Sequence, residues 1–139
     1  SAIFFNIVNG FTNGFYLGNL ANFTNDYIYN LNFILGLILF IIGVIINVSS
    51  DNILIKIRNE NKGYQIPNGK LYNFISCPNY LGEIIEWIGF ALMCWSLPGF
   101  LFSIWTIANL FPRAISQHKW YKKKFDYPLK RKAIIPYIL

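Results

Sequence analysis

Across the first 50 residues the sequence carries a single charged side chain, Asp26, and within that stretch Leu31 to Val48 (LNFILGLILFIIGVIINV) runs for 18 residues with none. A surface helix of a soluble fold keeps a charged or polar face toward water, and this run has no such face. About 20 apolar residues make one bilayer crossing, so the run is read as a membrane-spanning helix. Composition agrees: 13% of the chain is charged, against about 25% in an ordinary soluble domain. With 55% hydrophobic residues and a mean hydropathy of +0.39, the chain is too apolar to remain disordered. Its two cysteines, Cys77 and Cys94, cannot form a disulfide scaffold. They have neither metal-ligand spacing nor a CxxC pair, and they read as small hydrophobes in a reducing compartment.

Three further apolar blocks accompany the first. Ala2 to Leu20 is apolar but studded with Asn and Gly, and Ile84 to Trp95 and Gly99 to Phe111 are separated by Ser96-Leu97-Pro98. With flanking residues from Asn79 and as far as Ser116, the last two reach spanning length. Pro98 lacks an amide proton and disfavours helix at the residue before it, so a helical hairpin is expected there. The fold class expected is therefore all-α: a multi-pass transmembrane helical bundle of about four membrane helices, including this C-terminal hairpin, with cytosolic loops.

The remaining charges are segregated. Lys56, Arg58, Lys62 and Lys70 share one polar stretch, and Arg113, Lys119, Lys122, Lys123, Lys124, Lys130, Arg131 and Lys132 crowd the C-terminal end opposed only by Asp126. Basic stretches flanking apolar spans lie on the cytoplasmic side, which makes the Asp51 to Pro78 loop cytosolic and returns the chain to the cytosol at Arg113. Phosphate groups of a cytosolic ligand or anionic membrane lipids account for the positive excess, and no nucleic-acid partner is expected. A single histidine excludes a His-rich metal centre, and no metal site is expected. Gly10, Gly14 and Gly18 recur every four residues, a small-residue face suited to close helix packing in lipid.

Polar groups beside spans point to function, because burying them in hydrocarbon is costly. Asn47, Asp51, Leu54 and Arg58 fall on one helical face running out of the second block. Asn79, Glu83 and Glu86 share a face at the start of the third, and Arg113, Gln117 and Tyr121 share one after the fourth, with His118 beside them. All three groups lie at the cytosolic ends of their helices, where they can line one polar cavity. The alternative is that acids near a helix start complement its dipole and basic residues snorkel to the interface. Spacing alone assigns no catalytic class.

Longer stretches carry a resemblance. Asn47-Val48-Ser49-Ser50-Asp51, Tyr64-Gln65-Ile66-Pro67-Asn68-Gly69 and Ser76-Cys77-Pro78-Asn79-Tyr80-Leu81-Gly82-Glu83-Ile84-Ile85-Glu86-Trp87 resemble the steroid 5-alpha-reductase family. So do Trp95-Ser96-Leu97-Pro98, Pro112-Arg113-Ala114, His118-Lys119-Trp120-Tyr121 and the ending from Tyr127-Pro128 through Arg131-Lys132-Ala133 to Pro136. The match runs over residues 1–139 as that family's C-terminal domain, which implies that the N-terminal membrane helices of the full enzyme lie outside this chain.

The resemblance implies a multi-pass enzyme of the endoplasmic reticulum membrane, cofactor side cytosolic, that uses NADPH to reduce the Δ4 double bond of a 3-oxo-Δ4-steroid. Hydride goes to C5 and a proton to C4, with the 3-oxo group polarised as charge develops. It further implies that Asn47, Asp51, Arg58, Tyr64, Asn79, Glu83 and Tyr121 contact the cofactor, with Asn79 and Glu83 at the nicotinamide and Arg58 at phosphate or ribose. His118 and Arg131 match positions linked to cofactor affinity. The family's Glu and Tyr that engage the steroid carbonyl belong to the N-terminal half, so catalytic residues are not assigned here. Gln117 and Lys70 depart from the family pattern. Two other functions stay open: reduction of another conjugated lipid, such as a trans-2-enoyl-CoA or a polyprenol, and a non-catalytic membrane fragment.

Overall fold

The computed structural model describes residues 2–60 and 65–138. Among them all regular structure is helical: α1 (Ala2–Phe15), continued by a π-helical turn at Tyr16–Leu20, then α2 (Leu31–Glu60), α3 (Pro78–Cys94) and α4 (Leu97–Lys124). Short 3-10 turns at Tyr27–Tyr29 and Lys70–Asn73 punctuate the connections.

The uncharged run opens α2 at Leu31 as its hydropathy predicts, but the helix does not stop where the run ends. No Pro or Gly interrupts 44–60, so the polar segment after Val48 stays helical for a total of 30 residues. At 1.5 Å per residue α2 is about 45 Å long, exceeding a hydrocarbon core of about 30 Å. It is the one helix among the described residues long and apolar enough to cross a membrane, and only 11% of its most apolar window is buried. Ile34, Leu35, Leu37, Ile38, Ile41, Ile42, Ile45 and Val48 point outward, unlike the core helix of a water-soluble domain. Leu101, Ile104 and Trp105 of α4 and Phe4, Ile7 and Phe11 of α1 are likewise exposed.

Helices α2 and α3 run antiparallel with their backbones in contact. A Cβ placed at Gly36 would lie 2.6 Å from the Met93 nitrogen, at Gly43 2.4 Å from that of Glu86, at Gly82 2.5 Å from that of Asn47 and at Gly89 2.4 Å from that of Phe40. The glycines are seven apart on each helix, two turns along one face, so each pair of turns meets its counterpart without a side chain between. Ser50 continues the α2 seam one heptad further and is also buried. The close approach expected at Gly10, Gly14 and Gly18 is not there: a Cβ at any of the three meets nothing within 4 Å among the described residues. Their face of α1 is open, and the packing glycines are those of α2 and α3.

The hairpin expected at Pro98 forms between α3 and α4, with the break just before it, at Trp95 and Ser96. Trp95 adopts the left-handed conformation (φ 44°, ψ 45°), its N–H closing on the Ala91 carbonyl at 2.9 Å. Ser96 then caps α4, its Oγ accepting from the Gly99 N–H at 3.2 Å, and Pro98 sits in the first turn, where a missing N–H costs no helical bond. Cys77, Ile84, Leu110, Ala114 and Ile134 form the core between α3, α4 and the C-terminal segment. That segment is tied to the end of the α2–α3 loop by Ile75 pairing with Lys132: Ser76 N–H donates to the Lys132 carbonyl at 2.8 Å and Lys132 N–H to the Phe74 carbonyl at 2.9 Å.

Candidate functional site

Because Gly82 lies against the Asn47 backbone and Gly43 against that of Glu86, the interlock brings the polar ends of α2 and α3 side by side. Asp51, Glu86 and Arg113 all act electrostatically on Glu83. Arg113, Glu83 and Asp51 likewise act on the Tyr80 hydroxyl. Three helices therefore contribute to one cluster: Asp51 from α2, Tyr80, Glu83 and Glu86 from α3, Arg113 from α4. None of these charges is in an ion pair within 4 Å among the described residues. Asn79 stands half-buried in the first turn of α3, also without a described hydrogen-bond partner.

Beside the carboxylates, against α4, lies a cavity of about 810 Å³ lined by Tyr80, Pro112, Arg113, Ser116, Gln117, Trp120 and Lys124. Tyr80 and Arg113 belong to both cavity and cluster. The α4 residues among them form one helical stripe in steps of three and four, of which the sequence reading found only Arg113 and Gln117. Two cations and two aromatic rings around an open cavity suit a ligand that combines anionic groups with a planar ring. A second cavity, of about 500 Å³ and lined by Val44, Ile45, Val48, Ser49, Asn52, Ile53, Lys56 and Lys70, contains none of the residues expected from the sequence to contact the cofactor.

Tyr121 lies one turn beyond Gln117, whose side chain hydrogen-bonds it, and is buried. Burial pushes its phenol above the ordinary tyrosine value, with Cys77, Tyr127 and Tyr80 adding to the effect and the Gln117 bond opposing it. Tyr72, 2% exposed, is raised in the same way and points its hydroxyl at the Ser50 carbonyl at 3.5 Å. Both phenols are neutral hydrogen-bonding groups at any ordinary pH.

His118 and Arg131 belong to a different assembly. Ser76 Oγ lies 2.6 Å from His118 Nδ1, 2.7 Å from the Tyr127 hydroxyl and 3.1 Å from the Lys132 carbonyl. The Arg131 guanidinium donates to the Pro67 carbonyl at 2.8 Å and to Asn68 Oδ1, and lies 5.4 Å from the Tyr127 ring centroid. Tyr127 in turn stacks on Tyr121 at 5.4 Å. This knot fastens the C-terminal segment to the 65–77 loop, and Arg131, 6% exposed, is committed to it. Arg58 is exposed in the last turn of α2, about 10 Å along the axis from Asp51, and is not among the groups acting on the cluster. Tyr64 lies outside the described residues.

Burial, Lys122 and Lys132 all lower the pKa of His118 below its ordinary value. The folded chain thus holds that proton less readily than the unfolded chain, and acid favours unfolding. The contribution is intact above about pH 6.5, the unfolded value, and is lost progressively as pH falls below it. The thermal midpoint is expected to drop between about pH 7 and about pH 5, and to drop less in His118→Gln.

The sequence model of 3-oxo-5-alpha-steroid 4-dehydrogenase matches residues 1–139, the whole chain. The chain belongs to this family. It is 43% identical over 140 residues to steroid 5-alpha-reductase DET2 of Solanum lycopersicum, covering 99% of the chain and 54% of that protein. Against 3-oxo-5-alpha-steroid 4-dehydrogenase 1 of Mus musculus it is 42% identical over 140 residues, covering 99% of the chain and 55% of the relative. Against 3-oxo-5-alpha-steroid 4-dehydrogenase 2 of Homo sapiens the identity is 45% over 132 residues, covering 94% and 52%. The chain spans about half the length of the curated relatives it matches. These relatives are named as oxidoreductases acting on a steroid, so the family is enzymatic.

Proposed function

We propose that this chain is the cofactor-binding, C-terminal domain of an NADPH-dependent 3-oxo-5-alpha-steroid 4-dehydrogenase, which reduces the Δ4 double bond of a 3-oxo-Δ4-steroid. The observation that carries the reading is the Arg113–Lys124–Trp120–Tyr80 cavity opening beside the Asp51–Glu83–Glu86 carboxylates. Cationic and aromatic groups suit the phosphates and base of a dinucleotide, and the carboxylates with the Asn79 amide suit the carboxamide of its nicotinamide. NADPH, when bound, supplies the hydride.

The chain's own residues bind and orient. Glu83 accepts from an amide N–H, Asn79 both donates and accepts, and Asn47 and Asp51 extend the same polar edge along α2. Arg113 and Lys124 counter phosphate charge, with Arg58 available where α2 projects furthest. Tyr121, neutral and buried one turn beyond the cavity, holds the lining Gln117 amide in place. His118 and Arg131 serve the cofactor from the knot that orders the 65–77 loop. Outward apolar faces on α1, α2 and α4 favour a multi-pass membrane bundle, which the family resemblance places in the endoplasmic reticulum. The basic ends then face the cytosol, and N-terminal membrane helices of a longer protein complete the substrate side.

The test uses the complete protein in lipid with NADPH and either a 3-oxo-Δ4-steroid or a trans-2-enoyl-CoA. Steroid-dependent loss of NADPH is expected. Turnover of the enoyl-CoA alone would assign another conjugated-lipid reductase. NADPH at a hundredfold excess over its dissociation constant is expected to add about 2.7 kcal/mol of stability. No gain would sink the cofactor reading itself.

A further inference from the structure

The second cavity, of about 500 Å³, is a groove along the outer side of α2. Its first part is apolar, walled by Val44, Ile45 and Val48, the last two well exposed. Asn52 and Lys56 continue the wall toward the basic end of the helix, and Lys70 closes it from the 3-10 turn at Lys70–Asn73. Steps of three and four put Ile45, Val48, Asn52 and Lys56 on one stripe, on the far side of the helix from Asn47, Asp51 and Arg58. Polarity thus changes with depth along a single face. Val48 ends the uncharged run, so the apolar part of the groove lies in hydrocarbon, and the amide and ammonium groups lie at headgroup level. Twelve residues separate Val44 from Lys56. They make about 18 Å of helix, against about 20 Å for one leaflet with its headgroups.

Lys70 is held at the groove by the fold. The Gly69 N–H donates to Asn73 Oδ1 at 2.9 Å, and buried Tyr72 points its hydroxyl at the Ser50 carbonyl, so the turn rests on α2. Lys70 itself adopts φ 49°, in the left-handed region that a residue with a Cβ seldom occupies. Such conformations collect at ligand clamps. Among the described residues no acid lines the groove. Lys56 Nζ lies 3.8 Å from Glu60 Oε1, one turn further out, in an exposed pair of the kind that holds its partners weakly.

We propose that this groove binds one anionic glycerophospholipid, its phosphate and acidic headgroup between Lys56 and Lys70 and an acyl chain along Val48, Ile45 and Val44. Lysines at a membrane surface attract acidic headgroups, and the apolar wall below them fits hydrocarbon rather than a soluble anion. No aromatic ring lines the groove for a nucleotide base to stack on. The proposal rests on the reading of α2 as a membrane-spanning helix with its basic end in the cytosol, and is independent of the cofactor assignment.

Native mass spectrometry of the complete protein, released from detergent with phosphatidylserine or phosphatidylcholine at equal concentration, reads the site directly. One phosphatidylserine is expected to be retained, in preference to phosphatidylcholine by about tenfold or more. Lys56→Gln and Lys70→Gln are each expected to weaken its retention about fivefold, while Lys130→Gln, an exposed lysine outside the groove, leaves it unchanged. Val48→Trp, which fills the apolar part, is expected to abolish retention with both lysines in place. Equal retention of the two lipids by the unsubstituted protein, which requires no variant to fold, overturns the proposal. So does a loss in Lys130→Gln that matches the loss in Lys56→Gln. Glycerophosphoserine, the headgroup without its chains, is expected not to bind at the same concentration, and its retention would overturn the lipid in favour of a soluble anion. A complete protein that retains neither lipid has this face covered by its other membrane helices, which also overturns the proposal. Failure of the membrane reading itself would show differently, as a protein that stays in solution without detergent.

Discussion

Gly43→Leu is expected to unfold the α2–α3 pair, lowering thermal stability in detergent by more than about 3 kcal/mol, the upper range for overpacking a tight core. A Cβ there would sit 2.4 Å from the Glu86 nitrogen and 2.7 Å from the Gly82 carbonyl, both backbone atoms that no rotamer change can move aside. Relief requires separating two helices that are also held at Gly36, Gly82 and Gly89, so one substitution strains the whole seam. Gly10→Ala and Gly14→Ala are the controls. They have open space around the added carbon and should gain up to about 1 kcal/mol from helix propensity. Loss of stability at Gly10 or Gly14 comparable to that at Gly43 would contradict the assignment of the packing face.

The second large effect concerns the carboxylate cluster. Glu83→Gln and Asn79→Ala, made in the complete protein, are expected to raise the NADPH concentration for half-maximal rate by tenfold or more each. A hydrogen bond to a charged group contributes about 1.5–3 kcal/mol, and about 1.4 kcal/mol is a factor of ten. Glu83→Gln keeps the shape and removes the charge, so it also relieves repulsion from Glu86 and Asp51 in the empty protein. Stability should therefore hold or rise while cofactor use falls. A parallel loss of both would mark Glu83 as structural, and unchanged kinetics in both variants would remove the pair from the nicotinamide site.

Periodicity made much of this architecture legible. The 18-residue uncharged run located the start of α2 to the residue, and the polar faces at 47–58, 79–86 and 113–121 anticipated which helix ends converge. The four-residue glycine repeat of α1 does not mark the close contact among the described residues. The contact that forms uses glycines seven apart, split between two distant helices, and neither half is conspicuous alone. Pairing of Ile75 with Lys132 was equally invisible: two short irregular segments more than fifty residues apart have no shared period. Without that pairing, His118 looks like an extension of the Arg113–Gln117–Tyr121 face. In the folded chain, Ser76 and Tyr127 draw it into the knot, where Arg131 is also engaged.

The burial of Cys77 gives the molecule a clock. Its sulfur lies under the C-terminal segment at the junction of α3 and α4, 3% exposed, and burial pushes the thiol up to about 12. An alkylating reagent needs a thiolate it can touch, and the closed form supplies neither the ionisation nor the access. Modification of Cys77 is therefore limited to moments when the C-terminal knot lifts away, and its rate counts those openings. Cys94, half-exposed in the α3–α4 hairpin at the far end, needs no such opening, so its reaction is the internal reference against which the Cys77 rate is read.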